Sequence, residues 1–436
     1  MLARDGSLQS HADLQRQPWH LYSPRQRRAF LWVLFLIGAS NYVDKNIIGV
    51  LLEPIKAEFQ VSDTRLGLLS GISFALFYAT LGIPVARWAD RGDRRLIVTL
   101  SLSAWSAMTV ICGLANSFWQ LALARFGVGA GEAGAIPPAH SLLADYYAPT
   151  ERAKAIGIFM MSATLGYVLA LMLGGWISQN YGWRAAFITI GLLGLVLAPV
   201  AHLTLKEPRH TTLFAVRMAA EESLLSAIRA LLAKRAYRNL LAGMVGYFVM
   251  AYGAMVFIVS FIIRVHELNV AQAGTLFGAI SAIGAGIGNI GGGVLADRLA
   301  PQDPAWYGRL AGWGMVAALP LFELALVAPT IWAMAVLLLF STMLMWGVVP
   351  PMFAALHFVC GSKRRAIAVA LALFFANLIG LGLGPIIAGS LSDAFAASRG
   401  SAEGLRIALM VVMVVFIPAG WFMLRAARHL RADAED

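Results

Sequence analysis

Four ionisable residues interrupt stretches that are otherwise apolar: Asp44, Lys45, Arg125 and Glu132. A charge in such a run is costly unless it faces a cavity or a partner, which makes these four the first candidates for chemistry. A carboxyl in that setting can take up and release a proton, because desolvation favours its neutral form and an approaching arginine favours its charged form. On that ground Asp44 is the candidate proton-coupling residue, with Glu132 as the alternative carrier. The competing readings are an ion pair of Asp44 with Lys45 or Arg125, and a Glu132 that only orients Arg125. The planar fork of Arg125 suits a phosphate or carboxylate group, or else ties its helix to backbone carbonyls. Asp44 and Lys45 point about 100° apart on a helix, while Arg125 and Glu132 stand two turns apart on one face.

Asn41, Tyr42, Tyr252, Trp346 and Asn377 add polar and aromatic edges that, with Lys45 and Arg125, can line a binding cavity. Each of them is also an ordinary packing residue. The sequence holds no nucleophile elbow, no Cys/His cluster with ligand spacing and no phosphate loop; the glycine run 284–293 lies in an apolar stretch with no Lys-Ser/Thr after it. Cys112 and Cys360 are read as structural filler, so no metal, cofactor or disulfide framework is expected. Glu323, His357 and His140 are read as surface or packing residues.

The elements that must carry these residues are set by composition. Of the 436 residues, 59% are hydrophobic and 13% charged, against about 25% charged in a soluble domain. The length accommodates about twelve helices of roughly 20 residues in a bilayer. Apolar runs place them at 29–52, 64–87, 96–115, 118–143, 153–178 and 184–204, then 239–263, 272–297, 307–327, 331–357, 366–393 and 404–425. The net charge of +11 does not form a nucleic-acid-binding stripe. Its basic clusters fall in every second loop, which puts both termini in the cytoplasm and requires an even number of spans.

The segment 205–238 opens with Lys206, Glu207 and Pro208 and spaces Glu221, Glu222, Leu224, Leu225, Ile228, Leu231 and Leu232 as an amphipathic surface helix. It divides the chain into two six-helix halves, 29–204 and 239–425, flanked by a cytoplasmic segment 1–28 and a tail 426–436. The halves echo each other: Ala89-Asp90-Arg91 recurs as Ala296-Asp297-Arg298, and Arg152-Ala153-Lys154-Ala155 as Arg365-Ala366-Ile367-Ala368.

The segment Ala86 to Arg95, the run Arg125-Phe126-Gly127-Val128-Gly129-Ala130-Gly131-Glu132, and the glycines 157, 166, 174 and 175 together resemble the major facilitator superfamily over essentially the whole chain. Ala86 stands where that family usually has glycine. Asn41-Tyr42-Val43-Asp44-Lys45, the Pro84-to-Arg95 segment and Gly129-Ala130-Gly131-Glu132-Ala133 are most similar to the Spinster group of lipid transporters, with Lys45 in place of an arginine.

The resemblance implies an all-α fold of twelve transmembrane helices in two pseudo-symmetric halves, working by alternating access on a gradient. Asp90, Arg91, Arg94, Arg95 and Arg152 are then expected to form a cytoplasmic ion-pair gate, with Asp297 and Arg298 making the matching contact in the second half. The implied cargo is an amphiphilic anion of lysolipid or sphingoid phosphate type, moved with a proton. Small organic anions or drugs are the rival cargo, and a membrane-embedded lipid enzyme lacks the residues it would need. A bacterial inner-membrane monomer, surrounded by lipid and independent of nucleic acid, is the expectation that follows.

Overall fold

The structure is a computed structural model describing residues 18–208 and 224–434. It is helical almost throughout. α1 (Pro24–Phe59) begins at a capping box in which Ser23 and Gln26 satisfy each other's backbone N–H groups, with Pro24 in the first turn. α2 (Asp63–Ser70) and α3 (Ile72–Arg91) are one run broken at Gly71. α4 (Arg94–Gly113) is capped by Asp93, whose side chain accepts from the Leu96 N–H. α5 (Phe118–Glu132) and α6 (Ile136–Tyr146) divide the fourth apolar run, and the prolines at 137 and 138 fall in the first turn of α6, where a missing N–H is tolerated. α7 (Pro149–Tyr181) and α8 (Trp183–Thr204) complete the first set.

The second set opens with the short α9 (Leu224–Ala233), then α10 (Arg235–Gly253) and α11 (Ile258–His266), joined by a single 3-10 turn. α12 (Val270–Leu299) and α13 (Ala305–Leu326) follow. α14 (Ile331–Phe375) runs for 45 residues but contains Gly361 at φ 59°, ψ −176°, so it is two helices meeting at one residue. A π-helical turn, Ala376–Leu381, leads into α15 (Gly382–Arg399), and α16 (Ser401–Met413) and α17 (Phe416–Ala427) end the bundle.

The apolar runs therefore fall where the sequence puts them, but several are broken internally, as at Gly71, 133–135 and 254–257, and two of their bounds move. The second set starts at Arg235 instead of 239, and the expected loop between 357 and 366 shrinks to the bend at Gly361. The linker helix is present from Leu224, with Ala227 and Leu231 buried and Leu225 exposed; Glu221 and Glu222 lie outside the described residues.

Ten helices among the described residues are long and apolar enough to cross a membrane. α1 is long enough, but Asn41, Asp44, Lys45 and Asn46 lie in its middle, and the fourth run is divided between α5 and α6. Helices α1 to α8 pack mainly among themselves, as do α10 to α17. Among the described residues, the most extensive seams between the sets are α7 against α12 and α2 against α15. At these seams backbone meets backbone, since a Cβ on Gly67 would stand 2.2 Å from the Pro385 carbonyl oxygen and one on Gly274 2.4 Å from that of Leu171.

Candidate functional site

The glycine-alternating run of α5 explains how its charges are seated. A Cβ on Gly129 would lie 2.4 Å from the Phe74 carbonyl oxygen of α3, and one on Gly131 2.6 Å from the Trp105 nitrogen of α4. Only a bare backbone lets α5 approach both neighbours so closely, and that approach buries Arg125 and Glu132.

Arg125 reaches α1. Its Nη1 stands 3.8 Å from Asp44 Oδ1 and donates to the Asp44 backbone oxygen at 3.3 Å. Thr109 of α4 donates from its hydroxyl to Asp44 Oδ2 at 2.6 Å. Asp44 and Arg125 are each 1% exposed, so this interaction is shielded from water. Asp44 Oδ1 and Arg125 Nε form no hydrogen bond.

Lys45 takes a different direction, as the 100° offset requires. Its ammonium lies 5.0 Å from the ring centre of Tyr78, 5.5 Å from Phe74 and 5.7 Å from Tyr252, a cation held among aromatic faces from α3 and α10. Tyr42 shares the electrostatic neighbourhood of Lys45, Tyr78, Tyr252 and Glu132. Glu132 faces the Asn41 amide, yet neither of its carboxyl oxygens nor the Asn41 side-chain nitrogen meets a partner in full hydrogen-bonding geometry among the described residues. Leaving buried polar atoms unpaired costs about 1 to 3 kcal/mol each.

Asn41, Tyr42, Asp44, Lys45, Arg125, Glu132 and Tyr252 are thus brought together, with Thr109, Phe74 and Tyr78 added. Trp346 is not in this group: it stands beside Gly288 on α12 and is 37% exposed. Asn377 lies in the π-helical turn, its side chain donating to the Leu373 oxygen at 2.8 Å.

The gate expected at the near end of the bundle, where α1 begins, has other contacts in this conformation. Arg94 is buried and bonded to Glu207 at the start of the linker, to Asp145 at 2.7 Å and to Ser141 at 2.8 Å. Arg95 lies 3.8 Å from Asp93, and Arg152 donates to the Ala144 oxygen. Asp297 and Arg298 are exposed at the end of α12 and make no ion pair among the described residues. The side chains of Asp90 and Arg91 lie outside the described residues. Arg94 is therefore a tether for the linker, because two carboxylates reach it from α6 and from residue 207.

A polar cluster at the far end was not read from the sequence. Arg264 at the end of α11 donates to Asp63 at 2.6 and 2.7 Å and to Glu53 at 3.0 and 2.7 Å. Lys56 and Ser392 also donate to Asp63, each at 2.6 Å. Asp393 accepts from the backbone N–H groups of Asp63 and Thr64 at 2.9 and 2.8 Å, capping α2 from α15. Nothing local announces this, since Asp63 and Arg264 are 201 residues apart and each reads alone as a loop charge.

A helical bundle with ionisable groups buried in the middle of apolar helices is that of a multi-spanning membrane protein. The chain belongs to the Major Facilitator Superfamily, whose profile matches residues 34–385. It is 33% identical over 95% of its length, and 96% of the relative's, to an MFS-type efflux pump of Mycolicibacterium smegmatis. It is 25% identical to protein spinster homolog 1 of Xenopus tropicalis, over 92% of this chain and 80% of that one. It superposes with TM-score 0.88 and 32% identity on the crystal structure of a bacterial homolog of the human lysosomal transporter Spinster, inward-facing and unoccupied, covering 95% of this chain and all of the other. The Spinster kinship read from residues 41–45, 84–95 and 129–133 is thus also a structural one. The chain is an integral membrane protein and a secondary active transporter, not an enzyme.

Proposed function

We propose that the chain is a proton-coupled carrier of an amphiphilic or lipid-like anion, built as twelve spans in two six-helix halves with both termini cytoplasmic in a bacterial inner membrane. The observation that carries this reading is the buried Asp44–Arg125 pair beside unsatisfied Glu132 and aromatic-ringed Lys45. The two cations supply a place for an anionic headgroup, and the rings of Phe74, Tyr78 and Tyr252 a wall for an apolar chain. The carboxyl of Asp44 supplies the proton site, since movement of Arg125 relative to it changes the balance between its charged and neutral forms. α1 and the α5–α6 pair are the eleventh and twelfth spans. Paired far-end charges and tight far-end seams support a state closed on the outside, and the likeness to an inward-facing structure supports the same reading.

A second cargo, a drug or small organic anion, is favoured by one observation, the full-length match to an efflux pump. Proteoliposome transport of a fluorescent lysophosphatidic acid, with and without an imposed pH gradient, separates the two. Gradient-driven movement by the wild type, abolished in Asp44→Asn, is the expected result. Normal accumulation in Asp44→Asn removes Asp44 from the proton role, and immobility of the lipid in the wild type transfers the cargo to small organic anions.

A further inference from the structure

Thr109 lies in α4, away from every motif that pointed to the site, yet its hydroxyl sits between two acceptors. Oγ1 is 2.6 Å from Asp44 Oδ2 and 2.9 Å from the Trp105 carbonyl oxygen one turn earlier in α4. Both Thr109 and the carboxyl are buried. Other titratable or charged groups facing Asp44 are Arg125 and Glu132 from α5 and Cys112 from α4, while its neighbour Lys45 is turned into the aromatic rings. Of these, Arg125 holds the Asp44 backbone oxygen more closely than the carboxyl, so among the described residues the short contact to the carboxyl is Thr109.

A hydroxyl has one proton to give and two lone pairs to receive. From this geometry we infer that Thr109 is the positioning residue of Asp44, a rotor that keeps Oδ2 hydrogen-bonded whether the carboxyl is charged or neutral. With Asp44 ionised, the Thr109 O–H donates to Oδ2. When a solvent proton forms an O–H bond on Oδ2, that new donor turns to Thr109 Oγ1, and the Thr109 proton swings to the Trp105 oxygen. Every donor keeps an acceptor and no heavy atom has to move. Without such a partner Oδ2 would be left unsatisfied in at least one of its two states. The rotor lets the proton arrive and leave with neither state trapped.

This inference rests on the reading of Asp44 as the proton site, and the test keeps the two apart. Infrared difference spectra of purified protein across a pH titration reveal a protonated-carboxyl band, assigned to Asp44 by its absence in Asp44→Asn. Expected is a titrating Asp44 band whose midpoint moves about one pH unit to the alkaline side in Thr109→Ala and Thr109→Val, and returns to the wild-type value in Thr109→Ser. The alkaline direction follows because a bond to the charged form is the stronger of the two lost. An Asp44 band whose midpoint is unchanged in Thr109→Ala overturns the rotor and leaves the proton site standing. No Asp44 band at any pH overturns the proton site itself. Should the Ala and Val variants not fold, the wild-type band decides: its frequency must be that of a carboxylic acid donating a hydrogen bond, and the frequency of a free acid overturns the rotor.

Discussion

Arg125 and Asp44 are held 3.8 Å apart at their nearest charged atoms, longer than the roughly 2.7 to 2.9 Å of a charge-assisted hydrogen bond. A pair this loose is readily exchanged for another anion, which a tight bidentate pair would resist. Arg125→Lys keeps the charge and loses the fork, so transport of an anionic amphiphile in proteoliposomes should fall by about tenfold or more. Glu132→Gln fixes the neutral form of that side chain and should leave proton flux coupled, as read by a pH-sensitive dye inside the vesicles; uncoupling there would transfer the proton role from Asp44 to Glu132. These four ionisable residues were legible in the sequence because a charge within an apolar run is a signal along one dimension. Thr109, Phe74 and Tyr78 were not, since a hydroxyl or a ring inside a span is commonplace until the fold sets it against a charge. Trp346 and Asn377 lie apart from that charged group, one beside Gly288 and one in the π-helical turn, and a polar edge in the sequence carries no information on such placement.

At the scale of the helix, hydropathy located the apolar runs but not their breaks. Gly71, the stretch 133–135 and the turn at 254–257 keep the composition of the helices around them, and the interruption comes from how backbone is packed. The bend at Gly361 was read as a loop of several residues for the same reason. Its φ of 59° with ψ of −176° belongs to glycine almost alone. Gly361→Ala should therefore cost about 1 to 3 kcal/mol and lower the thermal unfolding midpoint in detergent. Gly67 is constrained by contact and not by conformation. A Cβ there meets the Pro385 carbonyl, so Gly67→Ala should part α2 from α15. Spin labels at Arg65→Cys and Ser390→Cys should report a longer distance in that variant, and the buried Cys112 and Cys360 should take up little label.

For the molecule as a whole, the far-end cluster is what joins the two sets of helices through charge. Asp63 from the first set and Arg264 from the second pair out of reach of bulk water; removing Arg264 leaves Asp63 its bonds to Lys56 and Ser392 but takes from it the charge-assisted bonds that cross the seam, at about 1.5 to 3 kcal/mol. Since about 1.4 kcal/mol changes a two-state equilibrium tenfold, Arg264→Ala should shift the population by about tenfold or more toward the state opened at that end. The same spin-label pair should move apart, and an unchanged distance would show that the glycine seams alone hold the end shut. None of this was visible in the sequence, because a contact across 201 residues has no local pattern. Those glycine seams bear on more than shape. Where two backbones touch, no file of water fits between them, and without such a file hydronium has no wire along which to hop. A membrane crowded with copies of this carrier in the sealed state would hold its voltage without leak.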